Sequence, residues 1–368
     1  MTVADVEHII EEWAPRWVAW ERDNVGLQIG RRNQQVRKIM LALEVTEGVV
    51  HEAIRKKADL LFTHHPPLFH PASSLTDADQ TGSNILTLAE NKIAVYSAHT
   101  NLDFTRNGVS FALAETLGLK KAKFLSPLEG KLSKVVVFVP PTHVEQVAKK
   151  MSDSGAGVIG DYHSCSFRID GTGTFEGTET SRPYIGRRQS FERVKEVRLE
   201  MIAPTARVPS VIQAIKNVHP YEEVAYDVYP VNTPSANYGV GAFGELDRVV
   251  TLQAFLRKCK QVLSVQSLRY TGNSTQKVRT AAVCGGSGSD LLEAAIRAKA
   301  DVFVTADVRY HTFHAAHGRI ALVDAGHWET EHVVLEPARR KLQDAARRLN
   351  QRISVTVAQT PTNPVQSL

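Results

Sequence analysis

Cysteine is scarce in this sequence: Cys165, Cys259 and Cys284 are the three present among 368 residues, widely spaced and without a Cys-x-x-Cys pair. An odd, scattered set supports neither a disulfide framework nor a zinc ribbon, and it points to a reducing cytoplasm. No stretch approaches the roughly eighteen consecutive apolar residues that span a bilayer, and the N-terminus lacks the basic-then-apolar pattern of a signal peptide. The expectation is therefore a cytoplasmic protein with no membrane partner. A Gly-x-Ser-x-Gly elbow and a Walker phosphate loop are both missing, and Cys284 has no placed basic partner, so nucleophilic catalysis is unsupported. What remains is an ordinary globular mix, 43% hydrophobic and 23% charged, in a chain long enough for two or three domains. The net charge of +5 is mild. Arg339, Arg340, Lys341, Arg347, Arg348 and Arg352 nevertheless crowd one C-terminal helical stretch, which reads as a solvated helix face or, as the alternative, a nucleic-acid contact.

The chain contains a partial copy of itself. Residues 53–63 read AIRKKADLLFT and residues 295–305 read AIRAKADVFVT, identical at seven of eleven positions and apolar in both at three of the others. Further on, Ile93-Ala94-Val95-Tyr96-Ser97-Ala98-His99 is echoed by Ile320-Ala321-Leu322-Val323-Asp324-Ala325-Gly326-His327. Each copy alternates short apolar runs (Ile39–Leu43 and Leu60–Thr63; Val278–Cys284 and Val302–Thr305) with helical spacing over Glu47–Lys57 and Asp290–Lys299. That alternation predicts parallel βαβ units covered by helices, with ligands beyond the carboxyl ends of the strands. Near the N-terminus, Val6, Ile9, Ile10, Trp13 and Trp17 have helical spacing and read as one packing face.

Between the copies the pattern changes. Strands over Val135–Val139, Ser164–Asp170, Val197–Ile202 and Val224–Val231 and helices over Val144–Met151 and Val208–Val218 give a βαβ–βαβ order, with Pro141-Thr142 and Pro204-Thr205 at matching turns. A ferredoxin-like α+β module fits that order. Gly130 and the Asn232–Asn237 stretch flank it like linkers. The expected organisation is thus a duplicated α/β/α host formed by residues 1–129 and 236–368, interrupted by an insert at 130–235.

Unusual residues gather at the expected strand ends. Thr63-His64-His65-Pro66-Pro67 puts two imidazoles where the prolines stop regular structure; alone, this is either a metal motif or a polar loop. His99-Thr100-Asn101-Leu102-Asp103 and His327-Trp328-Glu329-Thr330-Glu331 each pair an imidazole with a carboxylate four residues on. Residues at that spacing share a helix face, and imidazole with carboxylate suits zinc, iron, manganese or nickel. Two such motifs at equivalent places favour a divalent-metal site built from both copies.

These residues resemble the GTP cyclohydrolase 1 type 2 homologues, also called NIF-three-like proteins. The likeness runs through Asp23-Asn24-Val25-Gly26-Leu27-Gln28-Ile29-Gly30, Thr63-His64-His65-Pro66, Ser97-Ala98-His99-Thr100-Asn101-Leu102-Asp103 and Asp324-Ala325-Gly326-His327-Trp328-Glu329-Thr330-Glu331. Long members of that family carry a central insert similar to PII and CutA proteins, and His219-Pro220-Tyr221-Glu222-Glu223 looks like its ending. The resemblance implies a dinuclear site in a hexameric ring, with His65 and Asp103 on one ion, His64 and His327 on the other, and Glu331 bridging. By the same resemblance His99 stays outside the ligand set, orienting a ligand or water. Where the family usually has Leu-Asp-Val-Thr this chain has Leu43-Glu44-Val45-Thr46, so the contacts of the longer acid are open.

Two neighbouring features complete the expectation. Cys284-Gly285-Gly286-Ser287-Gly288-Ser289 joins a strand to a helix and is either a tight turn or a cradle for a substrate phosphate or carboxylate. Asp307 matches His65 in the repeat, which suggests an acid supporting the site; a solvated loop acid is the alternative. The expected substrate is a small nucleotide-like or phosphorylated molecule in a cleft between the copies, with the metal pair at its floor and Gly285, Gly286 and Gly288 on its wall. Metal-dependent hydrolysis is the first expected function; a non-enzymatic metal scaffold with a ligand-sensing insert, or a nucleic-acid-binding ring, is the alternative.

Overall fold

In the computed structural model, which describes residues 1–366, the chain divides into two compact units, 1–126 with 238–368 and 127–237. The first is a mixed α/β unit built on two sheets. One runs in the order Gly26–Ile29, Ala94–Ser97, Leu60–Thr63, Lys38–Ala42, Ser354–Val357; its first strand is antiparallel and the other four are parallel. In the other, Arg269–Thr271, Ala321–Asp324, Val302–Ala306 and Lys277–Ser287 repeat that order and those directions, and Gly239–Thr251 and Lys120–Pro127 extend the sheet.

The duplication reaches the hydrogen bonds. Asp59 Oδ2 accepts the amides of Arg37 and Lys38 at 2.7 and 2.8 Å, and Asp301 Oδ2 accepts those of Arg279 and Thr280 at 2.8 Å each. Gln34 and Gln276 each donate Nε2 to the carbonyl of the corresponding aspartate. Both copies thus pair the amides at the start of the strand with the same residue types.

Helices cover the sheets as the apolar spacing requires. Val3–Trp13 buries Val6, Ile9, Ile10 and Trp13 in a core shared with Leu335, Ala338 and Leu342 of the helix Leu335–Arg348. Trp17 departs from the expected face: the helix stops ahead of Pro15, and Trp17 sits in the turn Arg16–Val18, edge-on to Tyr238 at 4.8 Å. The helix expected over Asp290–Lys299 is shorter, a 3₁₀ turn Ser289–Leu291 followed by Leu292–Arg297. Part of the C-terminal basic charge is paired internally, Arg339 and Arg340 with Glu336 and Arg347 with Asp344. No helix among the described residues is long and apolar enough to cross a membrane.

The second unit threads strand Leu132–Val139, helix Val144–Asp153, strands Phe167–Glu176 and Phe191–Pro204, helix Val208–Lys216 and strand Tyr226–Val231. Its sheet order is second, third, first, fourth, every neighbour antiparallel. Val135, Val137, Val139, Leu199 and Met201 pack one sheet face onto Val147, Met151, Val211 and Ile215 of the helices. The proline-containing turns become the 3₁₀ segments Pro141–His143 and Thr205–Arg207.

Candidate metal centre

The residues flagged from sequence meet at the carboxyl ends of the parallel strands of both host sheets. His64 and His65 follow Leu60–Thr63, their amides still bonded to Ala42 and Leu43 carbonyls at 3.3 and 2.9 Å. His99 precedes a single helical turn, Thr100–Asp103, which Asp23 fixes by accepting the Thr100 amide at 3.0 Å. In the second copy Gly326, at φ +84°, starts the short helix His327–Glu331. That helix turns both side chains to one point, with His327 Nε2 3.1 Å from Glu331 Oε1.

Every one of the four imidazoles is anchored through Nδ1. His64 reaches the Ala98 carbonyl at 2.8 Å, His65 the Glu44 carboxylate at 3.1 Å, His99 Asp23 at 2.9 Å and His327 Asp307 at 2.6 Å. Those oxygens only accept, so Nδ1 carries the hydrogen and Nε2 is the nitrogen left for other use. A second-nitrogen hydrogen bond of this kind orients metal-binding histidines and raises their basicity. Glu44, whose reach was open from sequence, thus holds His65. Asp307, at the position that repeats His65, holds His327 from a backbone at φ +53°.

The ligand atoms of His64, His65 and His99 lie within 4.8 Å of one another, as do those of His65, His327 and Glu331. His64 Nε2 stands 3.7 Å from both Asp103 Oδ1 and Glu331 Oε1, and His65 Nε2 is 3.1 Å from Glu331 Oε2. His64 Nε2 and Asp103 Oδ1 are buried with no hydrogen-bond partner among the described residues. His99, expected outside the ligands, has its ring 5.3 and 5.4 Å from those of His64 and His65.

Electrostatics ties the cluster together. Burial disfavours a charged His65, but the Glu331 and Glu44 carboxylates beside it outweigh that and push its pKa up to about 10. At His327 the Glu331 contact, against burial, raises it to about 9. His64 is likewise raised, burial being overcome by the charges of Glu331 and Asp103. Burial alone would lift Glu331, yet the His64 charge and the imidazoles around it hold its carboxyl well below the usual range. Burial lifts Asp103 to about 6, opposed by His64. Imidazole and carboxylate in one partly buried cluster form a donor set able to hold a divalent metal.

The glycine segment is not an anion cradle in this structure. Gly285, Gly286 and Gly288 donate their amides to the hydroxyls of Ser110, Thr330 and Thr305 at 3.4, 2.9 and 2.9 Å, which leaves none of the three to bind a phosphate. Steric room explains the glycines instead. A Cβ on Gly285 would come 2.4 Å from Val109 Cγ1, and one on Gly288 2.5 Å from the Cys284 Cβ.

Beside His327 opens a cavity of about 530 Å³, bordered by Glu44 from the first copy and by Arg269, Asp307, His327 and Glu329 from the second. Gly285, Gly286 and Gly288 are not among its lining residues. Its outer wall was not foreseen: Asn363, Pro364 and Val365 of the C-terminal segment close one side. Trp328 Nε1 donating to Thr362 Oγ1 at 2.8 Å and Asn363 Nδ2 donating to Glu329 Oε1 at 3.0 Å hold them there.

Set against known proteins, residues 1–364 match the family model of Duf34/NIF3 (NGG1p interacting factor 3). A GTP cyclohydrolase 1 type 2 homolog of Bacillus subtilis is 38% identical over 358 residues, 97% of this chain and 96% of that protein. The crystal structure of a Bacillus cereus protein related to NIF3 is similar at 39% identity and a TM-score of 0.87, covering 100% of this chain and 99% of the other. A Staphylococcus aureus protein of known structure is similar at 30% identity and a TM-score of 0.80, covering 100% and 99%.

Proposed function

We propose that this chain, which belongs to the Duf34/NIF3 family, binds two divalent metal ions in the cluster around Glu331 and hydrolyses a nucleotide-like or phosphorylated small molecule beside them. One observation carries this reading: four imidazoles with anchored Nδ1 atoms surround the Asp103 and Glu331 carboxylates, and His64 Nε2 and Asp103 Oδ1 lack any hydrogen-bond partner among the described residues. Leaving a buried polar atom unpaired costs about 1–3 kcal/mol, and a pair of cations, one at each atom, would satisfy both. The mixed nitrogen and oxygen donors suit zinc, iron, manganese or nickel over the all-oxygen preferences of calcium and magnesium.

In this reading His65 and Asp103 hold one ion, His64 and His327 the other, and Glu331 belongs to both. When bound, such a pair supplies Lewis acidity that lowers the pKa of water and neutralises charge on a leaving oxygen. The protein's own part is to orient and to move protons. Glu44, Asp307 and the Ala98 carbonyl fix three imidazoles, while His99, held by Asp23, keeps Nε2 free to take or give a proton. The neighbouring cavity, about 530 Å³, falls within the size range of small-molecule sites.

The Bacillus subtilis relative, a GTP cyclohydrolase 1 type 2 homolog, supports GTP ring opening as one candidate reaction within this class. A homohexameric ring and a cytoplasmic location accompany the proposal, and the βαββαβ path of the second unit supports a kinship of the insert with PII and CutA proteins. Turnover by metal-loaded protein across a panel of nucleotides and phosphoesters, abolished in His64→Ala, would support the hydrolase. Stoichiometric metal with no turnover on the panel would favour a non-enzymatic metal scaffold.

A further inference from the structure

The motif His219-Pro220-Tyr221-Glu222-Glu223 takes no part in the metal cluster and lies wholly within the second unit. His219 is buried, and its ring bridges two backbone groups: Nε2 donates to the Phe138 carbonyl at 3.0 Å, and Nδ1 accepts the Tyr221 amide at 3.1 Å. An imidazole with an accepting nitrogen is neutral, in keeping with a pKa that burial lowers. This bridge ties the motif to the strand Leu132–Val139 and sets the direction of the three side chains that follow.

Those three side chains line a cavity of about 400 Å³. Phe138, Phe175, Tyr184 and Tyr221 give it aromatic walls, the Tyr184 and Tyr221 ring centroids standing 6.3 Å apart. Its outer side is the segment 181–185, carried by the loop between Phe167–Glu176 and Phe191–Pro204. The Arg182 amide, donating to Glu222 Oε1 at 2.5 Å, fastens that segment, and the Gln189 amide, donating to the Gly177 carbonyl at 2.7 Å, closes the loop base. Glu196, Glu222 and Glu223 are among its lining residues, with Arg182 the one arginine or lysine there. The Tyr221 hydroxyl is buried with the Glu196 carboxylate beside it, and burial together with that acid pushes the phenol's pKa up. Gly173 makes room for the acid: a Cβ there would lie 2.1 Å from Glu196 Oε2.

We propose that this cavity is a second binding site, for a small organic cation, an amine or guanidine whose N–H groups meet the Glu196 carboxylate and the Tyr221 phenol oxygen while its charge lies against the aromatic rings. Ring faces attract a cation, most strongly when it is desolvated. Three acidic residues against one arginine in the lining disfavour an anion of the same shape. The phenol oxygen and the acid offer two directional contacts that a purely apolar ligand would leave unmade. The site depends on nothing in the metal cluster.

Calorimetric titration of the full-length protein with 2-phenylethylammonium, and with 3-phenylpropionate as an anion of similar shape, tests the proposal. The cation binds once per chain and the anion does not; Glu196→Gln weakens the cation by about tenfold or more, the loss of one charged contact, and Tyr221→Phe weakens it to a lesser degree. Both variants keep the wild-type metal content and unfolding temperature. Should Glu196→Gln prove unstable, Glu223→Gln carries the same test. No heat with the cation up to millimolar concentration, equal affinity for cation and anion, or wild-type affinity in the folded Glu→Gln variants would overturn it.

Discussion

A Cβ atom on Gly286 would lie 2.1 Å from Glu331 Oε1, and 3.2 Å from His327 Nε2. Gly286 also sits at φ +62°, a conformation costing a residue with a Cβ about 1–2 kcal/mol. The glycine therefore keeps space for two of the proposed metal ligands. Gly286→Ala is expected to lower metal content sharply while the protein stays folded, measured by elemental analysis alongside circular dichroism. Wild-type metal content in that variant would remove Gly286 from the site.

Asp307 holds His327 by a 2.6 Å hydrogen bond, so its effect should pass through ring orientation and basicity. Asp307→Asn is expected to weaken metal binding by about 10–100-fold, the usual range for the loss of such a supporting acid. Competition against a chromophoric chelator reads this directly, and an unchanged affinity would make Asp307 a loop acid with an incidental contact.

Raised imidazole pKa values make metal binding and stability respond oppositely to pH. In metal-free protein His65 and His327, at about 10 and about 9 against an ordinary 6.5, are protonated at neutral pH. A metal must displace those protons, on the order of two per chain, so calorimetry in buffers of different ionisation enthalpy should show proton release and an affinity that climbs with pH. Groups whose pKa is raised on folding contribute fully below 6.5 and lose that contribution as pH rises through about 9 and about 10. Metal-free protein is thus expected to lose stability over that range, and His65→Ala to lose less. Buffer-independent heats would contradict the protonated cluster.

Glu52 anchors the C-terminal segment that walls the cavity beside His327. Its carboxylate accepts the amides of Gln359 and Thr360 at 2.9 and 2.8 Å and the Thr360 hydroxyl at 2.6 Å, and it pairs with Lys56. Burial would raise this acid, but the Lys56, Thr360 and Gln359 bonds hold it at about 2. Its contribution is present above the ordinary 4.5 and is lost as pH falls through about 2. Glu52→Ala is expected to cost on the order of 3 kcal/mol and to expose the segment after Val357 to protease. A segment as resistant as wild type would show that it is held elsewhere.

Much of this arrangement was legible in the sequence because the parallel strands are short, buried on both faces and repeated. Leu60–Thr63 follows the apolar run residue for residue, and Lys38–Ala42 lies within one residue of expectation. The insert's longer strands were only half visible. Phe167–Glu176 is largely exposed and contains Gly171 and Gly173, and Phe191–Pro204 starts in charged residues, so neither shows a run that burial would demand. Ser354–Val357 was missed since four residues at a sheet edge give almost no period to read. At the site, the histidines and acids at i and i+4 were evident, but their Nδ1 partners came from distant segments. Asp23 and Asp307 stood in view without assigned contacts, and Glu44 was marked only by its extra methylene. The rule that each metal-binding imidazole needs an acceptor for its other nitrogen would have pointed to acids at the ends of adjacent strands.

The most direct test of the central claim is the metal stoichiometry of full-length protein purified without chelator and then dialysed, set beside that of Glu331→Ala, since Glu331 is placed on both ions. The account predicts two divalent ions per chain in the wild type, drawn from zinc, iron, manganese or nickel, and near-complete loss of both in the variant. Metal-free wild-type protein after exposure to these ions, or equal metal content in Glu331→Ala, would contradict it.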